Sequence, residues 1–365
     1  MRHRPRFEMK ANGIHRIAIR PNVDSDNGIV CIDLQDSWTP LFIIRFTSKV
    51  GGILQAITME WSFELEKDPT DTRSPEYKDC LGLPEESAIV ETALEMGLVA
   101  ITISSSNRKT KCWSGLDITP VALVLHEVWH RFLSTEDGPP PRLSLYAFGA
   151  SSGGAFVSSL TSPLQSRFRI CLDGFVSQIA AHLPLLKEHE QDAAHDLCKV
   201  YVTINRDNRT DKAAQAMVEM CQSSTSTTES TSSISSKSES NKQCQHIRLP
   251  PRRIVPSYFA NRIQGISLAE SKEMAKVLAE AKILGKENGE LINEPRQSRK
   301  HWNNALRSAS ASASSILAFQ KRGDSFIPDR SPIFEVLNVE WGFHEISRDG
   351  VREALEFCVA RQSSK

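Results

Sequence analysis

Leu143 to Leu160 reads LSLYAFGASSGGAFVSSL: an alternating, aromatic-rich run meets Gly149-Ala150-Ser151-Ser152-Gly153 and passes into a helix-like segment. The pattern predicts a strand, a tight turn carrying a serine, and a helix. A serine on so sharp a bend projects its hydroxyl past the end of the sheet. The flanking glycines keep side chains out of the space where strand and helix approach, so G-x-S-x-G needs its small residues for a steric reason. Ser151 is the candidate nucleophile. The helix that follows offers unpaired N–H groups and a positive dipole end to any oxyanion formed beside that serine.

Working outward, candidate strands recur at Ile29–Leu34, Leu41–Phe46, Leu98–Ile103, Leu143–Phe148, Phe168–Leu172, Lys199–Ile204 and Ile333–Val339. Helical patterns lie between them. Glu85 to Met96 follows Pro84 and stops at Gly97; Ile118 to Phe132 is strongly amphipathic. Ser267 and Glu270 form a capping box, Met274, Val277, Leu278 and Ala281 make a stripe, and Gly285 is the expected stop. Strands alternating with helices at this spacing predict an α/β fold with a mostly parallel central sheet and helices on both faces. Gln222 to Asn241 is nearly all Ser, Thr and charge and predicts a disordered insertion. Residues 250–329 read as a helical, irregular insertion before the last strand, with an ambiguous Ser/Ala stretch at Ser308–Ser315. The main domain spans residues 27–365.

Composition narrows the function classes. Lys plus Arg and Asp plus Glu both number 44 among 365 residues, a balance that argues against a nucleic-acid partner. No apolar run is long enough to cross a bilayer, so no integral membrane segment is expected. The eight cysteines (31, 80, 112, 171, 198, 221, 244, 358) are scattered without a C-x-x-C pair. That spacing suggests neither a disulfide framework nor a cysteine zinc site, and reduced thiols in the cytoplasm are the expectation. Residues 1–26 form a basic segment in which Arg2, Arg4, Arg6, Lys10, Arg16 and Arg20 face one acid, Glu8. It reads as disordered or as an organelle-targeting sequence, although the absence of serine from its first twenty residues is atypical of transit peptides.

A serine hydroxyl needs a base to take its proton, and the base needs an acid to hold its tautomer. Past Lys199–Ile204 come Asn205, Arg206 and Asp207; past Ile333–Val339 come Trp341, Gly342, Phe343 and His344. Ser151, Asp207 and His344 therefore run in an order that suits a triad, with Asp211 and Asp173 as competing acids. His344 precedes a final amphipathic helix whose Val351, Ala354, Leu355 and Cys358 share a face.

With these residues the chain, from roughly Leu41 onward, resembles the α/β-hydrolase superfamily, most of all its esterase-like branch, which carries Ser, Asp or Glu, and His in this order. The resemblance implies hydrolysis of carboxylic esters through an acyl-enzyme: Ser151 as nucleophile, His344 as base and then acid, Asp207 as orienter, and the Ser152 N–H as one oxyanion donor. It implies no cofactor, no metal, and a small-molecule ester as substrate. The second oxyanion donor of that superfamily normally sits on a His-Gly-type loop after an early strand, where this chain reads Thr47-Ser48-Lys49-Val50-Gly51-Gly52. Gly51 is the candidate there. The departure keeps open a hydrolase-like protein that has lost activity and serves in binding.

One rival site remains. His126-Glu127-Val128-Trp129-His130 matches H-E-x-x-H, the zinc-peptidase pattern of two histidines one helical turn apart with a glutamate to activate water. No third ligand follows at the usual spacing.

Overall fold

The seven residues Ser144–Ala150 (β5) alternate across a buried sheet, Leu145 and Ala147 joining the apolar core of one face and Tyr146 and Phe148 that of the other. This computed structural model describes residues 16–21, 28–33, 41–45, 83–103, 105, 112–128, 144–181, 197–226, 243–285, 289–309 and 331–363. The other described strands are β1 Arg16–Pro21, β2 Gly28–Asp33, β3 Leu41–Arg45, β4 Leu98–Ile103, β6 Gly174–Gln178, β7 Cys198–Ile204 and β8 Cys244–Leu249. They form one sheet in the order β1-β2-β4-β3-β5-β6-β7-β8. β5 to β8 run parallel, as do β2 and β4; β3 is antiparallel to both its neighbours and β1 to β2. The class is α/β, and the expected mostly parallel sheet is a parallel block of four strands joined to a mixed half.

Helices cover both faces. α2 (Ile118–Val128), α3 (Ser152–Phe168) and α4 (Asn208–Ser226) bury Val121, Val124, Phe156, Leu160, Ala214 and Val218 on one side. α1 (Pro84–Glu95) and α9 (Val351–Ser363) bury Ile89, Ala93, Val351 and Leu355 on the other. α1 stops where the sequence says it should, at Gly97 with φ of 76°.

A third core belongs to α5 (Tyr258–Arg262), α6 (Leu268–Glu280), α7 (Arg299–Ala309) and α8 (Pro332–Trp341). Within it Trp302 is buried and stacks on Phe334 with ring centres 6.0 Å apart. The Ser267–Glu270 capping box caps α6, but the helix ends at Glu280 rather than at Gly285, with Lys282 in the left-handed region at φ 58°.

Several expectations need correction. Ile333–Val339 is helix α8, not a strand: it is buried on nearly every side, so its apolar run carries no helical period, while Ser331 as cap and Pro332 in the first turn mark its start. Phe168 ends α3 and the strand comes later, at Gly174–Gln178. The last described strand is β8, in which Cys244, Ile247 and Leu249 are buried and Gln245, His246 and Arg248 break the apolar pattern. The helical region thus follows the last strand instead of preceding it. α4 runs to Ser226 into the Ser-rich stretch, and residues 227–241 lie outside the described ones, as do 310–330. β1 falls within the basic segment 1–26. Among the described residues two disulfides are present, Cys198 to Cys358 across 160 positions and Cys221 to Cys244 across 23, with Cα separations of 5.4 and 6.3 Å. Linear spacing could not show pairs that packing of β7 on α9 and of α4 on β8 creates. No described helix is long and apolar enough to cross a membrane.

The third core is tied to the sheet through a buried ion cluster. Arg262 donates to Glu85 at 2.7 Å and bonds Asp349, while Arg348 donates its backbone N–H to Glu85 at 2.9 Å. Glu85 is fully buried. Replacing Arg262 by Met should leave that carboxylate with Arg348 alone and destabilise the fold by about 3 kcal/mol, because a buried charge stripped of one of its partners costs far more than the pair contributed. Urea unfolding would measure this, and a loss below about 1 kcal/mol would contradict it.

Candidate active site

The bend after β5 is the point from which the site is built. Ser151 has φ 53° and ψ −121°, a region that non-glycine residues rarely occupy and that costs about 1–3 kcal/mol. Its N–H donates to the Gln178 carbonyl of β6 at 2.9 Å, and its own carbonyl accepts the Ala155 N–H at 3.0 Å. A Cβ on Gly149 would lie 2.3 Å from the Gly153 carbonyl oxygen, so strand and helix approach at a distance that only glycine allows. The tight turn read from the sequence is present for the reason given there.

Asp207 stands before α4, just past β7. The Thr210 hydroxyl donates to one of its oxygens at 2.7 Å and the Thr210 N–H to the other at 3.1 Å. His344 lies between α8 and α9, behind Gly342 at φ 70°, and is itself left-handed at φ 47°. Its Nε2 is 2.7 Å from Ser151 Oγ and its Nδ1 is 3.2 Å from Asp207 Oδ2. Three residues separated by 193 and 137 positions in sequence thus form one hydrogen-bonded chain. The competing acids are elsewhere: Asp173 accepts the Leu145 N–H, and Asp211 pairs with Arg248 and His246.

Burial raises the Asp207 carboxyl, but the two bonds from Thr210 and the neighbouring His344 outweigh it and hold the group below the usual carboxylate range. Asp207 is ionised at neutral pH and accepts from Nδ1–H, which leaves Nε2 bare toward the serine hydroxyl.

The other expected donors divide. Ser152 opens α3, so its N–H belongs to the first helical turn, whose N–H groups have no partner within the helix. Its Oγ accepts the Trp113 N–H at 3.3 Å, and Trp113 lies on Phe156 with ring centres 4.7 Å apart, so the segment after β4 is fastened to the bend. Gly51 lies outside the described residues. So does His130, and the Glu127 side chain is likewise outside them; His126 is exposed near the end of α2. Among the described residues no three His, Cys, Asp or Glu side chains are grouped as a metal would need.

Three neighbours were invisible in the sequence. Arg296 donates to the His344 carbonyl at 3.0 Å and to Glu345 at 3.1 Å, bracing the loop from the third core. Glu345 is buried directly behind the histidine, and Gln178 reaches the same loop from β6. None belongs to a motif, and each becomes visible only when distant segments meet.

Burial pushes the Glu345 carboxyl up to about 7, against the pull of Arg296, and the buried Glu340 of α8 up to about 8. In the unfolded chain both ionise near the ordinary glutamate value, so the folded form binds the extra proton in between. Their stability share is full at low pH and is lost as pH rises through about 7 and 8. Glu340→Gln, which cannot ionise, should gain on the parent by on the order of 4 kcal/mol between pH 5 and pH 9. Chemical unfolding at both pH values would measure the difference, and a pH-independent one would contradict the assignment.

No protein-family model matches the chain, and no curated protein or solved structure matches it.

Proposed function

We propose that the chain is a serine hydrolase of the α/β-hydrolase superfamily, cleaving carboxylic esters of small molecules through an acyl-enzyme on Ser151. The observation that carries this reading is the chain of hydrogen bonds from Ser151 Oγ through the His344 ring to Asp207, at 2.7 and 3.2 Å. A serine in a strained strand-to-helix turn, a histidine within bonding distance and an ionised acid beyond it are the parts that acyl transfer requires.

In the proposed reaction Ser151 Oγ attacks the ester carbonyl carbon as its proton passes to His344 Nε2. The carbonyl oxygen takes up the negative charge beside the Ser152 N–H and the positive end of α3. The intermediate collapses when the C–O bond to the alcohol breaks and Nε2 returns the proton to the departing oxygen. Water then repeats the two steps on the acyl-enzyme, releasing the acid and restoring Ser151. Asp207 stays ionised throughout and stabilises the transient imidazolium.

A fluorophosphonate probe tests the proposal. It should phosphonylate Ser151 in the parent protein, mapped by peptide mass spectrometry, and leave Ser151→Ala unlabelled. A parent protein that resists the probe while holding stoichiometric zinc would instead support the His126/His130 site; resistance without zinc would support a non-catalytic binding protein.

A further inference from the structure

Gln178 closes β6 and is completely buried. Its backbone carbonyl accepts the Ser151 N–H at 2.9 Å, as its register opposite Ala150 brings about. Its side-chain amide does something separate: Nε2 donates to the Ser347 carbonyl at 2.7 Å, and Oε1 accepts the Ser347 N–H at 2.9 Å. Ser347 is three residues past His344. One side chain therefore makes a two-point bond to the histidine's loop while the same residue's backbone holds the nucleophile.

We infer that Gln178 is a positioning residue that sets the separation between Ser151 and His344, an inference resting on the hydrolase reading above. The chemistry favours an amide. A two-point bond to a peptide unit needs one donor and one acceptor at a fixed spacing, and glutamine supplies both without charge. At a fully buried site neither bond is exchanged for water, so losing them leaves the Ser347 N–H and carbonyl unpaired. The loop also needs outside support, because His344 sits in a left-handed conformation that its own side chain disfavours. Arg296 braces the loop on the side of the third core and Gln178 on the side of the sheet.

The rate of fluorophosphonate labelling at Ser151 reads the separation, with thermal unfolding confirming that each variant is folded at the assay temperature. Gln178→Met keeps length and approximate volume but loses both bonds; labelling should slow by about a hundredfold, the cost of roughly 1 Å of misplacement between reacting groups. Gln178→Glu gives a sharper readout. Protonated, the introduced carboxyl offers an O–H and a carbonyl in the places of the amide, so at about pH 6 its rate should approach the parent's. Ionised, it turns an acceptor toward the Ser347 carbonyl, and its rate relative to the parent should fall steadily toward that of the Met variant by about pH 9. A glutamine that merely stabilises the fold would give a rate ratio independent of pH once the folded fraction is accounted for. Folded variants labelling at the parental rate throughout would overturn the inference with the hydrolase reading intact. A parent protein that does not label at all would overturn the hydrolase reading and this inference with it. If Gln178→Met fails to fold, the pH dependence of Gln178→Glu alone decides.

Discussion

Ser151→Ala and His344→Ala should each reduce ester hydrolysis by at least about 10³-fold, and the double variant should be scarcely slower than either. A nucleophile and its base act as one unit: without the hydroxyl there is nothing for the imidazole to deprotonate, and without the imidazole the hydroxyl keeps its proton. The residual rate in all three would come from binding and the Ser152 N–H. kcat/KM toward an activated aryl ester measures this, and two single losses that multiply in the double variant would show that the residues act independently. His126→Ala should leave the rate near the parent's, because that side chain is exposed at the far end of α2.

Asp207→Asn should cost about 10³ to 10⁴-fold with the fold intact. The amide still fits beside Thr210, but its NH₂ turned toward Nδ1 favours the tautomer with hydrogen on Nε2, which is the wrong nitrogen to receive the serine proton. The carboxyl's lowered pKa also has a sign in stability. Its contribution is present above the unfolded carboxylate value and is lost as pH falls through the folded one, so the Asn variant should lose most against the parent at neutral pH and least in strong acid. Comparing kcat and the unfolding free energy of the two proteins at the same pH values checks both statements. A variant with unchanged kcat would remove Asp207 from the mechanism.

The legible and illegible parts of the site differ in how far their causes reach along the chain. The bend at Ser151 is a local matter of a strand, two small residues and a helix, and Gly149 must be glycine because the chain folds directly back on it. Asp207 was readable because β7 is a buried apolar run and the acid follows it. His344 lies within bonding distance of Ser151 although the element before it is a helix rather than the expected strand. What stayed hidden depends on sheet partners. β8 carries Gln245, His246 and Arg248, and only its pairing with β7 makes it a strand. Gln178 was obscured because the strand containing it was expected six residues too early, at Phe168–Leu172, where the last residue of α3 and the turn after it supply the apolar residues. The disulfides and the Arg296 brace join segments whose contact no periodicity records.

The most direct test of an acyl-enzyme on Ser151 is the mass of the intact protein quenched during turnover of an activated acetate ester. The mechanism predicts an added acetyl group, mapped to Ser151, absent from Ser151→Ala and unaffected by a zinc chelator. Ester hydrolysis that proceeds with no such adduct, and that stops when the chelator is added, would contradict it.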